Sequence, residues 1–230
     1  VPTSWKNNLV KLRCNAIYSD AVIYVNGKEV GSHLGGFTAF EIDITPYLKW
    51  GEKNEISIGV TNESLADSLA SGSQYALHTL GGISRDISLV TLPKTNFALF
   101  HTSTTFDKDY KDAVLKAEVE VENEGDQPEN VQLKFKLTDA KGTIIPLKGA
   151  DVNLGELSSK TLVAKSYDFD VAAPHQWTSE DPYLYNLVCE IWKDGNFSYA
   201  VNRNVGFRTV EVRGNQVFVN NMPIKLRGIN

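Results

Sequence analysis

Leu115-Lys116-Ala117-Glu118-Val119-Glu120-Val121-Glu122 alternates without a break, Leu115, Ala117, Val119 and Val121 facing one way and the charged residues the other. A period of two puts all four apolar side chains on one face of an extended chain. Such a strand is packed on one side and wet on the other, which suits an antiparallel sheet. Val131, Leu133, Phe135 and Leu137 repeat the pattern. Short runs rich in Val, Ile, Tyr and Phe recur at intervals of about ten residues, separated by Gly, Asn and Asp. No segment keeps a 3.6-residue period for more than a couple of turns. The chain therefore reads as all-β, built from sandwiches rather than from a parallel sheet.

The turns between these runs have a mechanism. Asn26-Gly27 separates residues 21–25 from 28–30, and Asp194-Gly195 separates 187–192 from 197–201. Both dipeptides accept the positive φ angles that a type I′ hairpin demands. Lys141-Gly142 lies in the turn between 131–137 and 143–147. Asn220-Asn221 lies between 217–219 and 224–226, with Pro223 at the edge of its run. A strand ends near Leu92-Pro93-Lys94, dividing the chain into residues 1–92, 93–208 and 209–230. The middle part has close to the ~100 residues of an immunoglobulin-like sandwich, without the Cys…Trp…Cys pattern of antibody domains. The last is too short to fold alone and reads as a hairpin leading elsewhere. Residues 62–82 carry little strand pattern. A loop of that length is often functional, and a short helix over 63–69 would shorten it.

The totals exclude several classes. The 23 basic and 28 acidic residues are well mixed, so no basic stripe offers itself to a nucleic acid. No apolar run approaches the roughly 20 residues of a membrane-spanning helix. The chain opens Val1-Pro2-Thr3-Ser4-Trp5, with no basic start and no apolar stretch, and so looks like an interior cut. Cys14 and Cys189 each lie in a strand-like run and read as buried free thiols rather than a disulfide or a zinc site.

Three stretches, in order, resemble glycoside hydrolase family 2, the family of β-galactosidases, β-glucuronidases and β-mannosidases. Residues 21–31, Ala-Val-Ile-Tyr-Val-Asn-Gly-Lys-Glu-Val-Gly, continue through Gly35-Gly36-Phe37 and Glu41-Ile42-Asp43-Ile44 to Tyr47-Leu48, and look like that family's sugar-binding jelly roll. Gly81-Gly82-Ile83-Ser84-Arg85-Asp86-Ile87 is similar to the strand closing that domain. Gly206-Phe207-Arg208, then residues 219–230, resemble the exit from the immunoglobulin-like domain into a catalytic (β/α)₈ barrel. A fourth match is Trp177-Thr178-Ser179-Glu180-Asp181-Pro182-Tyr183-Leu184-Tyr185, late in the second domain.

The resemblance implies a galactose-binding-like jelly roll lacking its first strands, an immunoglobulin-like sandwich, and the first strand of an absent barrel. Family members carry the catalytic acid and nucleophile further along, so no catalytic residue is expected in this chain. It implies the non-catalytic portion of an exo-acting retaining β-glycosidase, with β-galactoside as the first choice and β-glucuronide and β-mannoside behind it. This portion would buttress the barrel and shape the pocket for a β-linked glycan. The alternative is a stand-alone carbohydrate-binding or adhesion module. Residues 1–15 are expected to dimerise, exchange strands or be disordered, because missing strands leave open edges. A periplasmic or secreted location is favoured over a cytoplasmic one.

Candidate residues are few. Tyr75 and His78, in the loop before Gly81-Gly82, are the implied sugar contacts of the first domain. Arg227 and Asn230 sit at the C-terminal end of the implied barrel strand, where such barrels place substrate-facing groups. Retaining hydrolysis needs two carboxyls about 5 to 5.5 Å apart. The nearest local pairs are Glu41 with Asp43, on a solvated strand face, and Glu180 with Asp181, in a turn. His33, His78, His101 and His175 show no metal-ligand spacing, and Tyr75-Ala76-Leu77-His78 contains no carboxylate, so neither metal nor cofactor is expected. Arg85 and Asp86 read as a structural ion pair, and Arg208 as an arginine buried at a domain junction. Of the aromatic residues that could form a sugar platform, Phe37 and Tyr47 fall among core positions, Trp5 is available, and Trp50 lies at a turn.

Overall fold

The computed structural model describes residues 1–70, 80–226 and 228. They belong to two compact units, Val1–Lys94 and Thr95–Asn230. Unit 1 runs β1 (Leu9–Cys14), β2 (Ile17–Tyr18), β3 (Asp20–Val25), β4 (Lys28–Leu34), β5 (Phe40–Asp43), β6 (Ile56–Thr61), α1 (Leu65–Ala70), β7 (Gly82–Ile83) and β8 (Ile87–Leu92). Two antiparallel three-stranded sheets form, ordered β5-β1-β8 and β4-β3-β6, and β2 pairs with β7. The central strands supply the core: Val10, Leu12 and Cys14 from β1, with Ala21, Ile23 and Val25 from β3. Alternation puts these residues on one face of each strand. Residues 1–15 are all described, and β1 is the middle strand of its sheet. Main-chain pairing on both sides and a buried face hold β1 in place.

Unit 2 runs β9 (Thr95–Phe106), β10 (Ala113–Asn123), β11 (Glu129–Thr138), β12 (Ile144–Ile145), β13 (Asp151–Leu157), β14 (Thr161–Val171), β15 (Tyr185–Lys193) and β16 (Asn196–Val205). A hairpin follows, β17 (Val210–Arg213), β18 (Gln216–Val219) and β19 (Met222–Ile224). One sheet is β14-β10-β9. The other is β12-β11-β15-β16, with β13 also paired to β11. Burial along β10 alternates as the sequence demands: Ala113, Leu115, Ala117, Val119 and Val121 are buried and the residues between them are not. The core fills with Leu133, Phe135 and Leu137 from β11 and Leu187, Cys189 and Ile191 from β15. The chain is thus all-β with two sandwiches.

The Asn26-Gly27, Asp194-Gly195 and Asn220-Asn221 turns all form, with positive φ at both central residues. The arm after Lys141-Gly142 is shorter than its apolar run suggests: only Ile144–Ile145 pairs with β11. Cys14 and Cys189 are buried free thiols, one in each core. Desolvation raises the pKa of both, so neither is a ready nucleophile while folded. Phe37 departs from its expected core position and is 48% exposed, because Gly35-Gly36 turns the chain out of the sheet before it. Trp50 is half-buried against the core of unit 1.

Candidate functional site

Tyr75, His78, Arg227 and Asn230 all lie outside the described residues. The structure describes instead the two bases from which their segments issue, one in each unit.

In unit 1 the base is β2. Its Tyr18 hydroxyl donates to the Asp67 carboxylate on α1 at 2.5 Å, with the Tyr18 ring almost wholly buried. The next residue, Ser19, is also buried. Its hydroxyl reaches the Asn62 carbonyl at 2.7 Å and the Ser64 hydroxyl at 2.6 Å. Ser64 accepts the Asp67 N–H at 3.3 Å, the N-cap bond that starts α1. The return side is tied to the same strand: Ile17 pairs with Ile83 and Tyr18 with Gly82. The segment carrying Tyr75 and His78 therefore departs from an element bonded to β2 and returns as a strand paired with β2. Two glycines allow this closeness. A Cβ on Gly36 would lie 2.0 Å from the Tyr18 ring, and one on Gly81 would lie 2.3 Å from the Asn62 amide.

Around this base Phe37 meets Tyr18 edge-on at 5.5 Å. His33, at the end of β4, stacks on Phe40 at 4.1 Å and hydrogen-bonds Thr38 at 3.1 Å. Asn15, Ala39, Ser84, Arg85 and Asp86 line an open cleft of about 500 Å³. Arg85 and Asp86 correct the sequence reading. Both are exposed and they form no ion pair with each other. An exposed pair gains little over hydration, so nothing holds them together.

In unit 2 the hairpin β17–β19 is tied to the loop after β9. The Tyr110 hydroxyl donates to Glu211 at 2.9 Å and accepts from Arg213 at 2.8 Å. Arg213 also pairs with Glu211, donates to Asn221 at 2.6 Å and covers the Phe218 ring at 4.7 Å. Glu211 is held below the usual carboxylate range by the Tyr110 and Arg213 hydrogen bonds, and the Glu211 contact raises Tyr110. The buried Asn220 joins the hairpin to the sandwich by donating to the Trp177 carbonyl at 3.1 Å and accepting the Thr209 N–H at 2.9 Å. Arg208 is exposed rather than buried, with its guanidinium stacked 4.3 Å above the Trp177 ring. A planar, weakly hydrated cation gains from an aromatic face without leaving water.

Of the four carboxylates weighed as catalytic pairs, Glu41, Asp43 and Asp181 are engaged in the structure, while Glu180 is exposed and makes no such contact among the described residues. Glu41 pairs with Arg13 at 3.1 Å. Asp43 accepts both the N–H and the hydroxyl of Thr45. Asp181 pairs with His175 at 2.6 Å, beneath a Tyr183 ring stacked on that histidine at 4.2 Å. No group of three or more metal-ligating side chains occurs among the described residues. Sequence reasoning missed Tyr18, Ser19, Asp67 and Tyr110. Their partners are distant along the chain, and only Ser64, three positions before Asp67, left a local trace.

The sequence profile described as glycosyl hydrolases family 2, sugar binding domain, matches residues 1–93, and that described as glycosyl hydrolases family 2 matches 95–208. The β-galactosidase of Kluyveromyces lactis is 31% identical over 96% of this chain and 22% of its own. That of Priestia megaterium is 27% identical over 99% of this chain and 22% of its own. The crystal structure of Bacteroides uniformis β-glucuronidase superposes with a TM-score of 0.89 at 29% identity, covering 100% of this chain and 28% of that one. This chain spans between a fifth and a third of the length of the curated relatives it matches, from 20% to 32%. Matched on both sandwiches and in the same order, the chain belongs to glycosyl hydrolases family 2 and comprises its sugar-binding and immunoglobulin-like domains.

Proposed function

We propose that this chain is the non-catalytic portion of an exo-acting retaining β-glycosidase, with terminal β-galactosides as substrate, and that it buttresses a catalytic barrel and shapes its pocket. The observation that carries this reading is the β2 base. Buried hydrogen bonds and a strand pairing hold the elements on either side of residues 71–79 in unit 1, which is how a scaffold presents a substrate-facing segment. The carboxylates nearest to a catalytic arrangement support it as well: Glu41, Asp43 and Asp181 are committed to an arginine, a threonine and a histidine. The sugar is chosen from relatives named β-galactosidase. A structural neighbour named β-glucuronidase makes the uronide the competing substrate.

The test has two arms. The 230-residue chain, assayed on aryl β-galactoside, β-glucuronide and β-mannoside, is expected to release no aglycone; hydrolysis by the chain alone would overturn the non-catalytic role. The full product of the parent gene is expected to prefer the β-galactoside. A preference for the β-glucuronide would move the substrate and leave the scaffold role standing.

A further inference from the structure

We propose that the outer face of the larger sheet in unit 2 carries a glycan seat of its own, a shallow site for one neutral pyranose unit built on Trp192. The proposal does not depend on the hydrolytic reading, since no residue of the loop bases takes part.

Burial alternates along β15. Tyr185, Leu187, Cys189 and Ile191 point into the core, so Glu190 and Trp192 point to solvent. An indole on the wet face of a sheet contributes nothing to the interior. Strand register then places polar side chains beside it. Gln132 on β11 is opposite Trp192, Asn153 on β13 is opposite Gln132, and Phe197 on β16 is opposite Trp192 on the other side. A row of two amides and two aromatic rings crosses four strands. Phe197 is 57% exposed and meets the indole edge-on at 6.1 Å.

The indole is fixed in advance. Its N–H donates to Glu190 at 2.7 Å, and the Lys134 ammonium lies 3.6 Å from the ring centroid. Beside it lies a cavity of about 220 Å³, lined by Asn130, Gln132, Asn153, Trp192, Asp194 and the side-chain-free Gly195. Neither Lys134 nor Glu190 lines this space.

The lining has hydrogen-bonding capacity to spare. The Gln132 side-chain amide makes no hydrogen bond among the described residues. Asn153 spends its carbonyl oxygen on the Gly155 N–H at 2.9 Å and keeps its amino group. Asp194 accepts from Asn130 at 3.2 Å through one oxygen and keeps the other. Each hydroxyl of a pyranose is donor and acceptor at once, so neighbouring hydroxyls are matched by an amide and a carboxylate side by side. The C–H bonds on the sugar's apolar side suit an aromatic surface. The lining holds a carboxylate and no cation, which selects a neutral sugar over a uronic acid.

The test reads the four tryptophan indole N–H resonances of the ¹⁵N-labelled 230-residue chain, with Trp192 assigned through Trp192→Phe. The probes are methyl β-D-galactopyranoside, methyl β-D-glucopyranoside, a β-linked trisaccharide of neutral sugars, methyl β-D-glucuronide and glycerol. A neutral sugar is expected to shift the Trp192 signal saturably with a Kd of about 1 to 10 mM, leaving the other three in place. Gln132→Ala, a change on the wet face, should weaken that response at least about fivefold while the other three indole signals keep their positions. No saturable shift with any neutral sugar would overturn the proposal. So would an equal response in Gln132→Ala, an equal response to glycerol, or tighter binding of the glucuronide. Because no turnover is measured, failure here is distinct from failure of the hydrolase reading.

Discussion

The two sandwiches follow the same alternation rule but are filled to different degrees. Among the described residues, twenty apolar ones are buried in the core of unit 2, between strands that run to eleven and twelve residues. Among the described residues, nine are buried in the core of unit 1, whose strands have two to seven residues and whose two larger sheets have three strands each. Apolar burial contributes roughly 25 cal/mol per Å², and the fraction of surface a domain buries rises with its size. The better-filled unit should therefore be the last to open, and the thinner one, which contains the β2 base, the first.

Hydrogen exchange in urea is the broadest way to break this comparison. Amides of β10, β11 and β15 are expected to outlast those of β1 and β3. Leu133→Ala in unit 2 and Leu12→Ala in unit 1 each remove a buried side chain, at about 2–5 kcal/mol. Unit 2 should survive its loss with a lowered midpoint. Unit 1 should lose its protected core. Equal protection in both units, or equal tolerance of the two substitutions, would contradict the difference in filling.

A smaller effect tests whether the β2 base is tightly built. Gly36→Ala drives a methyl group into the Tyr18 ring, where the added Cβ would sit 2.0 Å from it. Overpacking of this kind costs about 1–3 kcal/mol. Gly59→Ala, in the same unit, meets only the Val22 carbonyl at 3.8 Å and should fall within about 0.5 kcal/mol of the parent. Melting of unit 1 by near-ultraviolet circular dichroism separates the two, and equal shifts would mean that the base yields freely. Tyr18→Phe is milder still. It removes the bond to Asp67 at about 1 kcal/mol, and its expected signature is local: faster exchange of the Ser84 amide, which bonds the Ala16 carbonyl beside β2.

These contrasts also mark how far the sequence could be read. Alternation over residues 115–122 and 131–137 gives the strands and their buried faces directly, because a period of two is a local property. Asn26-Gly27, Asp194-Gly195 and Asn220-Asn221 give their turns for the same reason: positive φ is demanded of those residues themselves. Ionic and polar partnerships behave differently. Arg85-Asp86, adjacent in sequence, make no pair, whereas Tyr18 finds Asp67 and Tyr110 finds Glu211 across the unit. Which polar groups meet is decided by sheet packing that no local pattern records. The glycan seat is of the same kind, since Gln132, Asn153 and Trp192 become neighbours only through register.

The smallest expected effect concerns acid. Asp107 is held below the ordinary carboxylate value chiefly by the Lys111 backbone N–H, Asp139 by that of Thr143, and Glu211 by the Tyr110 hydroxyl and then Arg213. All three belong to unit 2. A carboxyl with a depressed folded pKa contributes its stability in full above the unfolded value and loses it as pH falls through the folded one. The window here is therefore the acid range below about pH 4. Tyr110 carries the opposite sign. Its raised pKa favours the neutral phenol in the folded state, so its contribution holds below its ordinary value and fades in strong alkali. Glu211→Gln should lower the melting temperature of unit 2 near neutral pH by a small margin, since these side chains are largely solvated. The gap to the parent should narrow as pH falls toward about 3, because the parent's own Glu211 then takes up a proton. Asp107 and Asp139 titrate in both proteins and cancel from the difference. A gap of constant size across that range would mean that the Tyr110–Glu211–Arg213 contact holds the hairpin through shape rather than charge.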